Sequence, residues 1–308
     1  MALSALDRVG LGTAPLGNLF EALSDEQAQA TVDAAWDTGV RFFDTAPLYG
    51  HGLAEIRLGR ALASRPRDQY VLATKVGRLL RHVDGLRPDT IFRDVPDVDP
   101  VYDLSRDAVL RSIEESLGRL GVDRLDVVHV HDPDDHEADA LATGFPTLIE
   151  LRDQGVIGAV GCGMNQVEML ERFVERVDLD CLLIAGRWSL LDRRAGERLL
   201  PRCAERGIDV FVGGVFNSGL LATPSPGATF DYAPAPAHLV AAAQAMADLC
   251  ASAGLTLPAA AVQFSLRHPA VSRVVLGARS PAEMRDDVAF ASADVPEHLW
   301  GELDALLP

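Results

Sequence analysis

Short apolar runs recur along the chain and alternate with stretches whose apolar residues fall three and four apart. The runs are VGLGTA (9–14), FFDTA (42–46), VLATKV (71–76), DVVHVH (126–131), GAVGCG (158–163), CLLIAG (181–186), DVFVGG (209–214) and SRVVLGA (272–278). Their length and their flanking turn residues predict strands buried on both faces. SRDAVLRSIEESLGRLG (105–121) has the helical period, with Ser105 placed to cap its start and Gly121 to end it. DEQAQATVDAAWDTG, DALATGFPTLIELRDQG and RRAGERLLPRCAERG follow the same scheme, each closed by a glycine before the next strand. Eight strands, each followed by a helix or a long loop, predict a parallel sheet with right-handed crossovers. In one chain of 308 residues, with no linker or composition break, they predict a single-domain (β/α)8 barrel over 1–308.

Two connections are too long to be plain turns: 77–104, rich in Pro, Asp and Arg, and 217–237, rich in Pro, Gly and Ala. Both follow strands, which predicts substrate or cofactor loops on the C-terminal face of the barrel. A doubly wound dinucleotide fold is the main rival. It would need GLGTAPLGN (10–18) as its phosphate fingerprint, and Pro15 stands where the third glycine belongs. The chain also lacks a P-loop, a G-x-S-x-G elbow and an H-E-x-x-H helix.

Composition adds exclusions. The net charge of −17 disfavours nucleic acid and anionic membrane surfaces as partners. The start of the chain, MALSALDRVGLG, has no signal-peptide pattern, and no stretch has the uninterrupted apolar length of a membrane span. Cys162, Cys181, Cys203 and Cys250 show no C-x-x-C spacing, so reduced thiols in a cytoplasmic protein are expected. The expected partner is a small-molecule substrate, and the expected assembly a monomer or small homo-oligomer.

Polar residues at the C-terminal ends of barrel strands mark where such folds do chemistry. Asp44 closes the second strand and Tyr49 lies in the loop after it. Lys75 ends the third, and His131 the fourth. A lysine in an apolar strand is costly to bury unpaired, and Asp44 on the neighbouring strand is the expected partner. Such a pair alone is compatible with a purely structural role; four such residues at adjacent strand ends point to a site. HVHDPDDH (129–136) offers ligand types for a metal, yet its spacing calls for no further carboxylate. No metal is expected; His129 reads as a hydrogen-bonded core histidine, and Asp134–Asp135 as the start of a solvated loop.

FFDTAPLYG, ATKVG and LDVVHVHDP, with ELRDQGVIGAVG and VVLGARSPAEMRDDV, resemble the aldo-keto reductase superfamily over nearly the whole chain. The resemblance implies a (β/α)8 barrel, a nicotinamide cofactor without a Rossmann fold, and a catalytic set of Asp44, Tyr49, Lys75 and His131. Tyr49 is then the general acid or base. A phenol has an ordinary pKa near ~10, and the Lys75 ammonium is expected to lower it, with Asp44 holding Lys75 in place. His131 is expected to hydrogen-bond the reacting oxygen.

The superfamily's nicotinamide contacts are altered here. Its Ser-Asn after the fifth strand reads Gly163-Met164, with Asn165 one residue on; its Gln on the sixth strand reads Ala185; its stacking aromatic after the seventh reads Gly213. Asn165, Arg187 and the backbone of Gly213–Gly214 are the substitutes, each with a plain alternative reading as a turn residue, a surface charge and a flexible strand end. At the adenosine end, Gly277 and Glu283 stand where an NADP-binding member typically places Lys and Arg, and Asp287 where it places Asn. Arg279 could reach a 2′-phosphate, clamp the pyrophosphate or pair with an acid. A carboxylate at 283 repels that phosphate, so the cofactor expected is NAD, with NADP the alternative. GLGTAPLGNLF, HVHDPDDH, GCGMNQ and RWSLLD resemble the aldose 1-dehydrogenase branch, which includes L-fucose and L-galactose dehydrogenases, and the pyridoxal 4-dehydrogenases. The function implied is oxidation of a hemiacetal carbon to a lactone. The alternatives are a pyridoxal dehydrogenase, an NADPH-dependent carbonyl reductase and a nucleotide-binding regulatory subunit.

Overall fold

A computed structural model describes residues 6–82 and 91–307; part of the long connection 77–104, and the first residues of the chain, lie outside the described residues. Eight parallel strands close on themselves: β1 (Val9–Gly12), β2 (Phe42–Asp44), β3 (Val71–Val76), β4 (Leu125–His131), β5 (Ile157–Met164), β6 (Cys181–Ala185), β7 (Asp209–Gly213) and β8 (Val271–Gly277). Round the barrel each pairs with its neighbours in sequence, and β8 pairs with β1. The predicted (β/α)8 architecture is therefore the observed one, with every predicted strand in place.

Period-2 alternation sorts the strand residues. Phe42 and Phe211 face inward with Ala73, Val127, Cys181, Leu183 and Val275 and fill the lower barrel. Phe43, between two inward residues, faces outward to Tyr70 in the larger core under the helices. The Arg273 guanidinium lies over Phe42 and Phe211, 4.3 and 5.2 Å from their ring centroids, a cation on two aromatic faces. The next inward layer up holds Asp44, Lys75 and His129, because each follows an inward residue by two positions.

Helix signals act as read. Ser24 accepts from the Gln27 amide at the head of α1 (Asp25–Asp37), and Ser105 from the Ala108 amide at the head of α3 (Arg106–Leu120), which ends at Gly121 with φ 66°. Between them α2 (Leu53–Leu62) carries two buried charges. Arg57 donates to Asp25, the Leu16 and Leu23 carbonyls and Asn18 Oδ1, and so pins the β1–α1 connection. Glu55 accepts from Thr74 and Arg119, which anchors β3 beside Lys75.

One predicted helix is divided. In 139–155, a π-turn at Ala140–Gly144 precedes α4 (Phe145–Asp153). Pro146 has no N–H to give the fourth carbonyl back, so the α ladder cannot run through it, and the chain widens by one residue instead. All four cysteines are free and buried. Among the described residues no single helix is long and apolar enough to cross a membrane.

Candidate active site

The β2–β3 register sets Asp44 opposite Ala73, so Lys75, two residues further on, shares its inward face. Lys75 Nζ donates to Asp44 Oδ2 at 2.6 Å and to the Thr45 carbonyl at 2.8 Å, and both side chains are almost fully buried. Asp44 Oδ1 has no partner, and burial holds this carboxyl above its ordinary pKa against the pull of Lys75.

Tyr49 is carried by the turn that follows β2. Its amide donates to the Ala46 carbonyl at 3.1 Å, and Gly50 continues the turn at φ 61°. Gly50 lies against Gly17 of the β1–α1 connection so closely that a Cβ on Gly50 would stand 2.4 Å from the Gly17 carbonyl oxygen. This contact needs glycine on both sides, and it fixes how far the phenol leans over the barrel. The ring centroid is 4.7 Å from Lys75 Nζ and 5.8 Å from the His131 ring, at 90° to it.

Asp44, Tyr49, Lys75 and His131 thus converge at one end of the barrel. The phenol's pKa does not follow the expectation. It lies well above the ordinary value, because burial dominates and Asp44 and Asp132 add negative charge; the cation that opposes them most is Arg78. The Lys75 ammonium is already paired with Asp44 at 2.6 Å, which spends most of its field. His131 is pushed well below the ordinary histidine range by burial, then by Lys75 and Arg78, so its imidazole is neutral at neutral pH. Its Nε2 lies 3.4 Å from Asp132 Oδ2, and its Nδ1 has no hydrogen-bond partner.

His129 corrects the sequence reading. It is fully buried, but neither ring nitrogen makes a hydrogen bond. It stands edge-on to Phe211, 5.9 Å between centroids, and presses on Gly161, where a Cβ would come 2.2 Å from Nδ1. Burial and the neighbouring Lys75 lower its pKa to about 3, so it fills space as a neutral ring. Among the described residues no three His, Cys, Asp or Glu side chains gather as a metal site.

The long connections supply groups that strand-end reasoning did not find. The first forms a hairpin of Arg78–Arg81 with Asp99–Tyr102 and brings Phe92 to 6.3 Å from the Tyr49 ring. Tyr102 donates to the His131 carbonyl at 3.1 Å and stacks on His136 at 4.1 Å. Arg78 reaches Asp132 at 3.6 Å. The second forms a hairpin of Thr229–Phe230 with Ala233–Pro234, whose tip places Tyr232 6.1 Å from Phe20 and Asp231 2.7 Å from Arg187. Arg78 and Asp132 had one signal in the sequence: each is a charge just past a strand end.

The cofactor candidates fall in two groups. Arg187, read from sequence as a substitute or a surface charge, is a buried node that donates to the Asn165 and Gly186 carbonyls and to Asp231. Gly213 and Gly214 end β7, the latter at φ 62°. Across the mouth, Gly277 pairs in register with Gly12. Beyond it, the Arg279 guanidinium bonds Glu283 at 3.0 Å and Glu21 at 3.3 Å, and the Arg279 amide also donates to Glu283. Asp287, buried in α9 (Pro281–Ala291), keeps Oδ2 unpartnered, and burial with Glu283 and Asp286 pushes its pKa to about 8.

Asp287 gives a pH test of this edge of the mouth. In the unfolded chain its carboxyl ionises near ~4, and in the folded chain near 8, so between the two the folded state holds an extra proton and stability falls as pH rises. Asp287→Asn, which cannot ionise, should raise the melting temperature at alkaline pH and leave it nearly unchanged in mild acid. An equal effect at both pH values, measured by thermal unfolding, would contradict the assignment.

With this geometry in hand, comparison places the chain. Residues 8–308 match the Aldo/keto reductase family. The chain is 42% identical to a D-threo-aldose 1-dehydrogenase of a Pseudomonas species, over 97% of this chain and 93% of that one. It is 40% identical to a pyridoxal 4-dehydrogenase of Microbacterium luteolum, over 96% and 92%. Among solved structures, a glycerol dehydrogenase of Gluconobacter oxydans superposes with TM-score 0.77 at 25% identity, covering 97% of this chain and 90% of that one. A holo aldo-keto reductase of Bacillus halodurans matches with TM-score 0.77 at 25% identity, over 98% and 92%. The barrel and the matches together make this chain a member of the aldo/keto reductase family, an oxidoreductase of the kind that works with NAD(P)(H).

Proposed function

We propose that the protein oxidises the hemiacetal carbon of an aldose, of the L-fucose, L-galactose or D-arabinose type, to a lactone, with NAD as the oxidant. The observation that carries this reading is the convergence of Tyr49, Lys75, Asp44 and His131 at the barrel mouth. The likeness to the Pseudomonas aldose dehydrogenase supports the substrate class.

When bound, a nicotinamide dinucleotide would supply the acceptor for the hydride of the substrate carbon. As that carbon–hydrogen bond breaks, the hydroxyl on the same carbon gives up its proton and its carbon–oxygen bond becomes a carbonyl. Tyr49 Oη receives that proton in oxidation and returns it in reduction. His131, neutral and beside the phenol, hydrogen-bonds the reacting oxygen without adding charge. Arg78 favours the phenolate, and burial with Asp44 and Asp132 opposes it. Because the phenol holds its proton past the ordinary range, the oxidation rate should rise with pH through neutrality and the reduction rate fall at alkaline pH.

The residues present fit a nicotinamide dinucleotide. Gly214 and Gly277 leave exposed backbone just past β7 and at the end of β8, and Asp287 keeps a buried carboxyl oxygen unpaired. Asn165 and Gly213–Gly214 would hold the nicotinamide end; Gly277, Arg279, Glu283 and Asp287 the adenosine end. Arg279 is neutralised by Glu21 and Glu283, so a 2′-phosphate would meet carboxylates, and a ribose hydroxyl would find acceptors. This supports NAD. The likeness to the Microbacterium enzyme favours, as a second reading, pyridoxal, which also closes to a hemiacetal.

The test is a panel of aldoses and pyridoxal with NAD and NADP, followed at the nicotinamide absorbance with the product identified as lactone. Highest kcat/KM for an aldose with NAD is expected. A preference for NADP of tenfold or more, ~1.4 kcal/mol, would overturn the cofactor assignment, and no turnover with any pairing would indicate a binding role. Tyr49→Phe should keep the fold and cofactor binding and lose ~100- to 10,000-fold in turnover; near-normal turnover would remove Tyr49 from the chemistry.

A further inference from the structure

Asp132 follows His131 directly and has a backbone that few residues accept. Its φ is 43°, in the left-handed region, and its amide is held by the Gly163 carbonyl at 3.0 Å. That conformation turns the carboxylate back over the site rather than out along the loop. Oδ2 lies 3.4 Å from His131 Nε2 and 3.6 Å from the Arg78 guanidinium. The side chain is about one-third exposed, so it lines the mouth. Its charge is felt by the phenols of Tyr49, Tyr102 and Tyr232. Nothing in the proton transfer assigned to Tyr49 needs this acid.

We propose that Asp132 is a specificity-determining residue that accepts a hydrogen bond from the hydroxyl next to the reacting carbon, and so selects sugars over simple carbonyl compounds. This inference rests on the aldose reading above. With a carboxylate beside it, Nε2 of the neutral imidazole carries the proton, so His131 Nε2 is a donor and Asp132 Oδ2 an acceptor, side by side. Their 3.4 Å separation lets the two oxygens of a vicinal diol lie one against each atom at once. One oxygen, on the reacting carbon, accepts from His131; the neighbouring hydroxyl donates to Asp132. Arg78 backs the carboxylate and keeps it in place. Burial raises the Asp132 pKa to about 6, so the carboxylate is ionised and ready to accept at neutral pH. A substrate without the second hydroxyl would cover the carboxylate, displace its water and return no hydrogen bond, which is how such a site discriminates.

The experiment compares kcat/KM for an aldose the enzyme oxidises with that for its 2-deoxy form, using NAD, in wild type, Asp132→Gly and Asp132→Asn. Glycine and asparagine both accept positive φ, so the backbone is kept. The ratio of the two substrates cancels general losses of activity. In wild type the ratio should be on the order of 30-fold or more, the loss of a hydrogen bond to a charged group. In Asp132→Gly it should fall to within about threefold, and in Asp132→Asn, which keeps an acceptor but no charge, to an intermediate value. If Asp132→Gly does not fold, a ratio in Asp132→Asn reduced about fivefold still supports the inference. An unchanged ratio in the variants that fold, with good aldose turnover in wild type, overturns it and leaves the aldose reading standing. Wild type that oxidises no aldose overturns both, and shows this before any substitution is made.

Discussion

The Lys75–Asp44 ion pair is the constraint around which the upper barrel is arranged. An ammonium and a carboxylate in a barrel core are each expensive to strip of water, by several kcal/mol, and survive only with close geometry and further hydrogen bonds. Here the contact is 2.6 Å, the Thr45 carbonyl takes a second proton of the ammonium, and the Glu55–Thr74 bond holds β3 in position beside it. The pair demands that β2 and β3 keep their register, because a one-residue slip would turn both charges into the helix layer. It also decides what can sit above. Tyr49 and His131 are buried above it; burial, with Asp44 and Asp132 beside the phenol and Lys75 and Arg78 beside the imidazole, keeps the phenol protonated and the imidazole neutral. In this state the phenol can give its proton to a substrate oxygen in reduction, and it must first lose that proton to act as the base in oxidation.

The rest of the mouth follows from the chain's connections. Gly17 and Gly50 touch backbone to backbone and set the height of Tyr49. The hairpin after β3 brings Arg78, Phe92 and Tyr102 round it; the hairpin after β7 brings Asp231 and Tyr232 over Arg187. A carboxylate, a guanidinium and three phenols around a small opening suit a ligand rich in hydroxyls better than a bare aldehyde.

The barrel was legible in the sequence because its signals are local. Each strand is an apolar run, the helices read from the sequence have a cap or a closing glycine, and period 2 places Asp44 and Lys75 inward. Asp44, Tyr49, Lys75 and His131 could be picked out for the same reason: each breaks an apolar pattern at a strand end. What was not legible depends on partners distant in sequence. Arg187 reads as a surface charge, yet the carbonyl of Asn165 and the tip of the second hairpin bury it. His129 reads as a bonded core histidine, but Gly161 on the next strand and the edge-on Phe211 ring pack against it and neither ring nitrogen finds a partner. Pro146 inside a helical pattern was the visible cause of the π-turn, and its outcome depended on how Leu104 packs at Gly144. The direction of the Tyr49 shift needed the depth of burial and the position of Asp132, neither of which spacing supplies.

The central claim is that proton transfer by Tyr49 is governed by the charge balance that Lys75 and Asp44 set beneath it. The pH dependence of kcat for oxidation in Lys75→Met tests this most directly. Without the ammonium, the Asp44 charge is no longer compensated and adds to burial in holding the proton on the phenol, so the alkaline rise of the rate should move up by about one pH unit or more. A profile superimposable on that of the wild type would mean that Lys75 is only a structural partner of Asp44.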